Sequence, residues 1–230
     1  MRIHSSYSFV SWYSRFPLLL GKLTIELIRL ASLMDFRILR KLESLYKKSD
    51  QLLKSGRFGE GLWPLDPQVG LLLSTLIRSY GWKCGIEVGA GVGYSTIWLA
   101  EGFRQTSGKL LSLEYFFPKI DQLEKNLEGI FGDEYDQIVQ IVPSDFRKWL
   151  NNAGRHKFDF VLLDHRKNEY LECLLALIPR LRRGAFVCAD NVGSHEKECR
   201  TYLDFVRKSK KFETMTLSLG QGLEMSRFIG

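Results

Sequence analysis

The stretch that decides the fold is Gly85-Ile86-Glu87-Val88-Gly89-Ala90-Gly91-Val92-Gly93-Tyr94-Ser95, a short apolar run that leads into a glycine-rich turn. Such a run, followed by glycines and then by a helical pattern, predicts a strand, a tight turn and a helix. Glycine lets the backbone approach a ligand closely, and the first turn of a helix leaves N–H groups unpaired. The turn is therefore a candidate ligand site, with a purely structural turn as the alternative.

On both sides of this stretch, helical patterns alternate with short apolar runs from Val69 to the end of the chain. This alternation predicts βαβ units and an α/β fold that is Rossmann-like and doubly wound. We expect seven strands, mostly parallel, with helices on both faces. The last two strands are separated only by residues 220–222, so they form a hairpin and one strand runs antiparallel. The predicted helices cover residues 69–79, 94–103, 118–130, 146–152, 169–181 and 196–209, and the predicted strands cover residues 85–88, 110–114, 138–142, 158–163, 185–189, 213–219 and 223–229.

The first 60 residues form a separate, basic region. They hold 11 Lys and Arg against 5 Asp and Glu, whereas the remaining residues hold 22 against 21. Apolar residues recur at helical spacing from Pro17 to Met34 and again from Phe36 to Tyr46. We therefore predict a helical N-terminal extension over residues 1–60 and the main domain over residues 61–230. The extension suits packing on the domain or on a second copy in a homodimer, contact with a membrane surface, or contact with nucleic acid.

Composition bounds the class of protein. The chain has 230 residues, of which 45% are hydrophobic and 26% are charged, which is typical of a globular protein. The sequence contains no run of 18 uncharged apolar residues, so we expect no membrane-spanning helix. No small-residue cleavage site follows the N-terminal apolar stretch, so we expect no cleaved signal peptide. Four cysteines without CxxC spacing read as buried thiols in a reducing compartment, so we predict a cytoplasmic protein.

Two acidic residues narrow the choice of ligand. The glycine turn alone suits a dinucleotide-binding oxidoreductase and a methyltransferase equally. However, Glu87 lies just before the turn and Glu114 ends the next predicted strand, where a carboxylate can hold ribose hydroxyls. Two carboxylates repel a pyrophosphate and attract the sulfonium and ammonium of S-adenosylmethionine. The charges therefore favour a methyltransferase. The alternative is that Glu114 is only a solvated residue at the end of a strand.

Oxygen-bearing side chains follow the fourth and fifth predicted strands. Asp164 follows the fourth strand, and Asp190 with Asn191 follows the fifth. On neighbouring parallel strands these groups converge, and a few oxygen ligands with two negative charges suit Mg²⁺. Lys167, three residues after Asp164, can reach a hydroxyl group bound to that metal. Helix N-caps at both strand ends are the alternative.

The residues from Ile77 to Val192 resemble the class I S-adenosylmethionine-dependent O-methyltransferases, specifically the metal-dependent catechol O-methyltransferase group. The glycine turn, the run Leu110-Leu111-Ser112-Leu113-Glu114-Tyr115 and the segments LDHRKNEY and ADNV carry the resemblance, in that order. It implies that Lys167 acts as general base and that Glu114 holds the ribose. It also implies that Asp164, Asp190 and Asn191 bind Mg²⁺. The positions expected to contact S-adenosylmethionine are Glu87, Gly89, Gly91, Gly93, Ser95, Glu114, Tyr115, Ser144, Asp145, Asp164 and His165.

The expected acceptor is a small molecule that chelates the metal, such as a vicinal dihydroxy aromatic. The animal catechol enzymes of this group place a tryptophan where this chain has Arg166 and a proline where it has His195. Those enzymes hold the second catechol hydroxyl with a glutamate, and this chain has no clear match for it between Glu213 and Glu224. The alternatives are a metal-independent RNA or protein methyltransferase and a non-catalytic, cofactor-binding assembly protein.

Overall fold

The computed structural model describes residues 34–55, 63–152 and 154–230. The chain divides into two compact units, Met1–Arg40 and Lys41–Gly230, and only residues 34–40 of the first unit are described. The helix predicted from Pro17 to Met34 lies outside the described residues except for Met34 itself. A domain boundary at residue 60 stays a prediction.

Eight helices of four or more residues occur in the described ranges, and each predicted helix after residue 60 is among them. They are α1 (Phe36–Lys54), α2 (Pro67–Tyr80), α3 (Tyr94–Thr106), α4 (Phe117–Phe131), α5 (Tyr135–Ile138), α6 (Phe146–Asn152), α7 (Tyr170–Leu177) and α8 (Glu196–Lys208), with a 3₁₀ turn at Gly132–Glu134 before α5 and others at Lys167–Glu169 and Ile178–Arg180 on either side of α7.

 The eight α-helices include α5, a single turn that the periodicity of the sequence does not predict.

The ends of α2 show why the helix begins and stops where it does. The Asp66 side chain accepts a hydrogen bond from the backbone N–H of Gln68 at 2.8 Å, and Pro67 occupies the first helical position. Both features stabilise a helix start. Gly81 then ends the helix in the left-handed conformation, with φ of 63°. These local signals fix the length of the helix that precedes the first strand.

The sheet has seven strands in the order β3-β2-β1-β4-β5-β7-β6. Pairing is parallel from β3 to β5, and β7 runs antiparallel to both β5 and β6. The predicted seven-stranded, mostly parallel sheet with one antiparallel strand is therefore confirmed. The strands are β1 (Cys84–Val88), β2 (Lys109–Glu114), β3 (Val139–Pro143), β4 (Phe158–Leu163), β5 (Leu181–Ala189), β6 (Phe212–Leu217) and β7 (Leu223–Phe228).

One predicted boundary is wrong. The apolar spacing predicts a helix up to Leu181 and a strand from Ala185, but α7 ends at Leu177 and β5 already begins at Leu181. Leu181 pairs with Phe158 at the start of β4, and a register irregularity follows between Phe158 and Phe160. Strand pairing in the folded sheet therefore outweighs the helical pattern of these residues.

Helices cover both faces of the sheet, as expected. On one face a buried cluster joins Val88 and Leu163 to Leu174 of α7 and Leu203 of α8. On the other face Phe103 of α3 packs edge-on against Phe160, with ring centroids 6.3 Å apart. The central strands are thus buried on both sides, which is typical of a parallel sheet.

The four cysteines are free thiols, and all of them except Cys84 are buried. No helix in the described part of the chain is long and apolar enough to cross a membrane.

Candidate functional site

The carboxyl ends of β1, β4 and β5 bring the predicted site residues together. Val88, Leu163 and Ala189 are the last residues of these strands and lie in register across the sheet. The backbone N–H of Asp164 donates to Val88 at 2.9 Å, and that of Asp190 donates to Leu163 at 3.1 Å. Each acidic residue therefore occupies the first position beyond its strand, next to the glycine-rich turn.

The turn is held between β2 and β4. The N–H groups of Gly89 and Ala90 both donate to the carbonyl of Leu113 at 3.0 Å. Gly89 has φ of 100°, and a Cβ at this position would lie 2.5 Å from the backbone oxygen of Asp164. Only glycine allows β4 to end this close to the turn.

Glu114 connects the turn to the end of β2. Its side chain is buried, and Oε2 accepts a hydrogen bond from the N–H of Gly91 at 2.8 Å. Oε1 accepts one from the N–H of Phe116 at 2.9 Å. A carboxylate has about four lone-pair sites, so each oxygen can still accept a further donor such as a ribose hydroxyl.

Glu87 lies beneath the turn and is fully buried. The hydroxyl groups of Thr96 and Ser112 donate to its Oε2 at 2.7 and 2.8 Å. Its Oε1 has no hydrogen-bond partner among the described residues. Burial raises the pKa of Glu87, and the surrounding hydroxyl groups oppose that rise. A contact between Glu87 and a cationic ligand stays a prediction.

Lys167 meets Asp164 at the mouth of the site. Its Nζ lies 2.7 Å from Asp164 Oδ1, and both side chains are only 13% exposed. Burial raises the pKa of Asp164, while the charge and hydrogen bond of Lys167 lower it. Asp164 and Lys167 are three positions apart, a spacing that permits this contact. The 3₁₀ turn that begins at Lys167 brings the two side chains together.

Asp190 is the second carboxylate. It is 2% exposed, and its Oδ1 is buried with no hydrogen-bond partner in the described ranges. Burial, and after it the charge of Asp164, raise the pKa of Asp190 to about 7. Asn191 follows with φ of 62°, a left-handed conformation that asparagine tolerates better than most residues.

These donors fit a small, hard cation. Two neighbouring carboxyl groups with raised pKa values, one with an unpaired buried oxygen, gain from a divalent cation between them. The set contains two carboxylates and one amide. Across residues 34–55, 63–152 and 154–230, no group of three or more His, Cys, Asp and Glu side chains is arranged to hold a metal.

The residues expected beside the adenine lie after β3 and β4. Ser144 and Asp145 precede α6, and Asp145 Oδ1 accepts a hydrogen bond from the N–H of Arg147 at 2.9 Å. His165 packs edge-on against Phe146 with ring centroids 5.3 Å apart. Neither ring nitrogen of His165 has a partner in the described structure, and burial lowers its pKa to about 3. His165 is therefore uncharged and forms part of a wall.

Arg166, noted in the sequence as a departure from the family, lies at this edge, and Tyr170, Lys119 and Asp66 there were missed from the sequence. Arg166 donates from Nη2 to the hydroxyl oxygen of Tyr115 at 3.1 Å, and its guanidinium lies 5.4 Å from the ring centroid. The buried Tyr170 hydroxyl donates to the carbonyl of Asp190 at 3.0 Å. Lys119 lowers the pKa of Asp164, and Asp66 raises that of Asp190. Arg166 and Tyr170 carried a signal, their place in the LDHRKNEY segment, whereas Lys119 and Asp66 act on the site from distant parts of the chain.

A cavity of about 510 Å³ lies elsewhere, beside the edge strand β3. Leu111, Ile141 and His156 are among its lining residues, and none of the predicted site residues lines it. The carboxyl-edge site is therefore separate from this cavity.

Comparison with known proteins agrees with the fold. Residues 86–192 match a family model described as a methyltransferase domain. The chain is 30% identical to a catechol O-methyltransferase of Niastella koreensis over 128 residues, 56% of this chain and 58% of that protein. It is 28% identical to catechol O-methyltransferase B of Danio rerio over 174 residues, 70% of this chain and 64% of that protein. The chain thus spans less than two thirds of the length of either relative.

A solved structure gives the same fold. The O-methyltransferase from Bacillus cereus in complex with SAH superposes with a TM-score of 0.69 at 19% identity, covering 82% of this chain and 90% of that one. The fold and the strand-end site define a Rossmann-like methyltransferase domain. Residues 86–192 match the methyltransferase domain, and the chain is similar to catechol O-methyltransferases, so the comparisons support the resemblance to the class I S-adenosylmethionine-dependent O-methyltransferases.

Proposed function

We propose that the protein transfers a methyl group from S-adenosylmethionine to a hydroxyl group of a small molecule that chelates Mg²⁺. The acceptor we propose is a vicinal dihydroxy aromatic compound. The catechol O-methyltransferases among its relatives support this acceptor class. A homodimer formed through the N-terminal helices and a cytoplasmic location remain predictions.

One observation carries the proposal: Asp164 and Asp190 follow adjacent strands, directly beside the glycine-rich turn. Burial raises the pKa of both carboxyl groups, and Asp190 Oδ1 is buried without a hydrogen-bond partner. A buried carboxylate is stable only when it is paired, and a divalent cation is a suitable partner. We therefore propose that Asp164, Asp190 and Asn191 hold Mg²⁺.

A divalent cation bound there supplies Lewis acidity, which lowers the pKa of a chelated hydroxyl and fixes its position. Lys167 is the proposed general base because its Nζ is largely buried and lies beside the same carboxylate. Asp164 orients Lys167 through the contact at 2.7 Å and holds its Nζ at the mouth of the site. Proton transfer by a positioned side chain contributes about 10²–10⁴-fold to a rate.

The cofactor residues have distinct proposed tasks. Bound S-adenosylmethionine supplies an electrophilic methyl group. The Glu114 carboxylate accepts hydrogen bonds from the ribose hydroxyls, through the lone pairs of its oxygens that the N–H groups of Gly91 and Phe116 do not use. The turn at Gly89, Gly91 and Gly93 and the start of α3 at Ser95 lie close to the ligand. Tyr115, Ser144, Asp145 and His165 form the adenosine side, and Glu87 supports the turn from below.

The test is transfer of a labelled methyl group from S-adenosylmethionine to a panel of 3,4-dihydroxy aromatics, with Mg²⁺ and then with a chelator. We expect product that disappears with the chelator. Product that resists the chelator would contradict the metal site. Binding of the cofactor without transfer to any member would contradict the acceptor class and favour an RNA or protein substrate.

Two variants test the assigned roles. Lys167→Ala should lower kcat about 10²–10⁴-fold and leave the Kd of the cofactor nearly unchanged, whereas Lys125→Ala on the exposed face of α4 should change neither. Asp190→Asn keeps the side-chain volume and should abolish stimulation by Mg²⁺, and Asp121→Asn, also exposed on α4, is its control. Full Mg²⁺-stimulated turnover in Asp190→Asn would remove Asp190 from the metal site.

A further inference from the structure

The amino ends of the strands, opposite the candidate site, carry an excess of basic side chains. Within two residues of this edge of the seven described strands, nine residues are Lys or Arg and two, Asp159 and Glu213, are acidic. β7 runs antiparallel, so its last residues lie at this edge. The basic band, as we name it, consists of Lys83, Lys109, Lys157, Arg180, Arg182, Arg183, Lys210, Lys211 and Arg227.

Backbone contacts hold members of the band on neighbouring strands together. The N–H of Lys109 donates to the carbonyl of Lys83 at 2.8 Å, and the N–H of Lys83 donates to Asp159 Oδ2 at 2.9 Å. Arg182 pairs with the other oxygen of Asp159 at 2.9 Å. The positions of these side chains therefore follow from the sheet itself. From β2 to β6 the band crosses five strand spacings, about 24 Å at ~4.8 Å per spacing.

Most of this charge is neither buried nor neutralised. All members of the band except the half-buried Arg180 are exposed. Arg182 and Arg227 form ion pairs with Asp159 and Glu213, and no carboxylate of the described chain lies within 4.0 Å of the other seven. Lys83, Lys157 and Arg180 donate to backbone carbonyl groups, and in the described chain the side chains of Lys109, Arg183, Lys210 and Lys211 have no hydrogen-bond partner.

Acidic residues lie at the strand ends of the opposite edge, with Arg166, Lys167 and Lys119 farther from the strand ends. Within two residues of the carboxyl edge of the same strands, six residues are acidic and none is Lys or Arg. These acidic residues are Glu87, Glu114, Asp145, Asp164, Asp190 and Glu224. Residues 61–230 are almost neutral in sum, with 22 basic and 21 acidic side chains, so the asymmetry arises from placement alone. An anionic surface therefore attracts the amino edge of the sheet more strongly than the carboxyl edge.

The chemistry of the basic band favours a lipid surface over nucleic acid. Parallel strands connected by helices place the helix carboxyl ends, with their outward carbonyl groups, at the amino edge. Helix N-termini, which donate directly to phosphates, lie at the other edge. Consecutive exposed aromatic residues, which stack on single-stranded nucleic acid, also lie there, at Tyr115, Phe116 and Phe117. Long basic side chains on a broad edge suit diffuse attraction to a plane of anionic headgroups.

We propose that the basic band docks the domain on an anionic lipid bilayer, with the carboxyl-edge site facing away from the membrane. The uncompensated charges, their exposure and the acidic opposite edge carry this inference. It does not depend on the proposed methyl transfer. A membrane surface is also one of the partners considered for the basic N-terminal region. That interpretation rests on residues 1–60, whereas this proposal rests on the basic band.

The experiment measures sedimentation of the full chain with phosphatidylcholine vesicles and with vesicles that also contain phosphatidylglycerol. The test variant replaces Lys109, Arg183 and Lys211 with Gln, because these exposed residues have no carboxylate partner in the described chain. The control variant replaces Lys125, Lys148 and Lys197, which are exposed on α4, α6 and α8, with Gln. Both variants lose the same net charge, and circular dichroism checks that each is folded.

We expect binding only to the anionic vesicles. The test variant should bind them about a hundredfold more weakly, at about fivefold per basic residue near the surface. The control should bind nearly as the unaltered chain, and added salt should release both. Equal losses in the two variants, or equal binding to neutral vesicles, would overturn the proposal. Band-dependent binding of single-stranded RNA without vesicle binding would replace it with a nucleic-acid role.

Discussion

Replacement of Gly89 by Ala tests whether the glycine-rich turn positions the metal-binding edge. At φ of 100° an added Cβ meets the backbone oxygen of Asp164 at 2.5 Å and the backbone nitrogen of His165 at 2.9 Å. Positive φ costs an alanine about 1–2 kcal/mol. Forcing an extra carbon into packed surroundings adds about 1–3 kcal/mol. Because the contacted atoms are backbone, β4 and the turn must separate, so we expect a loss of about 3 kcal/mol.

Gly91→Ala is the matched control. Gly91 also has positive φ, 57°, but nothing lies within 4 Å of an added Cβ. Its cost is therefore the conformational strain alone, about 1 kcal/mol. Urea unfolding of both variants without ligand measures the free energy of unfolding. Calorimetric titration with Mg²⁺ then reports on Asp164, and affinity should fall only in Gly89→Ala. Equal destabilisation in the two variants would refute the reasoning.

Two further predictions concern buried carboxyl groups. Burial raises the pKa of Glu87 in the folded chain. Its contribution to the free energy of unfolding is therefore fully present below the unfolded pKa of about 4.3 and is lost as the pH rises through the folded pKa. Unfolding curves at several pH values should show the unaltered chain losing stability relative to Glu87→Gln as the pH rises, and parallel pH profiles would contradict this. Arg207→Met leaves the fully buried Glu224 without its two contacts at 3.2 and 3.3 Å, so we expect a loss of about 1–3 kcal/mol in urea unfolding. Restoration of stability in the double variant with Glu224→Gln would show that the loss comes from the unpaired charge.

The sequence allowed good prediction wherever local chemistry decided the outcome. The glycines at 89, 91 and 93 predicted the turn, and β4 at Phe158–Leu163 has the predicted bounds. Apolar strand patterns and turn residues act over a few neighbouring positions, so they can be read without the fold. The helix-to-strand change at Leu181 could not be read in this way, because pairing with Phe158 decides it.

The candidate site was partly predictable for a related reason. Asp164 and Asp190 each follow a strand, and parallel strands bring their carboxyl ends to one edge. Arg166 and Tyr115 are 51 positions apart in the sequence, and no local pattern indicates that they contact each other. The burial of Glu224 likewise depends on the strand order, since β7 lies between β5 and β6.

By itself, the sequence determined the elements, the glycine-rich turn and the set of acidic residues that follow the strands. These depend on backbone conformation and on apolar periodicity, which neighbouring residues control. Only the tertiary structure decided which carboxylates are buried side by side, where Lys167 points and how charge divides between the two edges of the sheet. The physical reason is that burial and Coulomb interactions depend on distances in space, and strand order sets those distances.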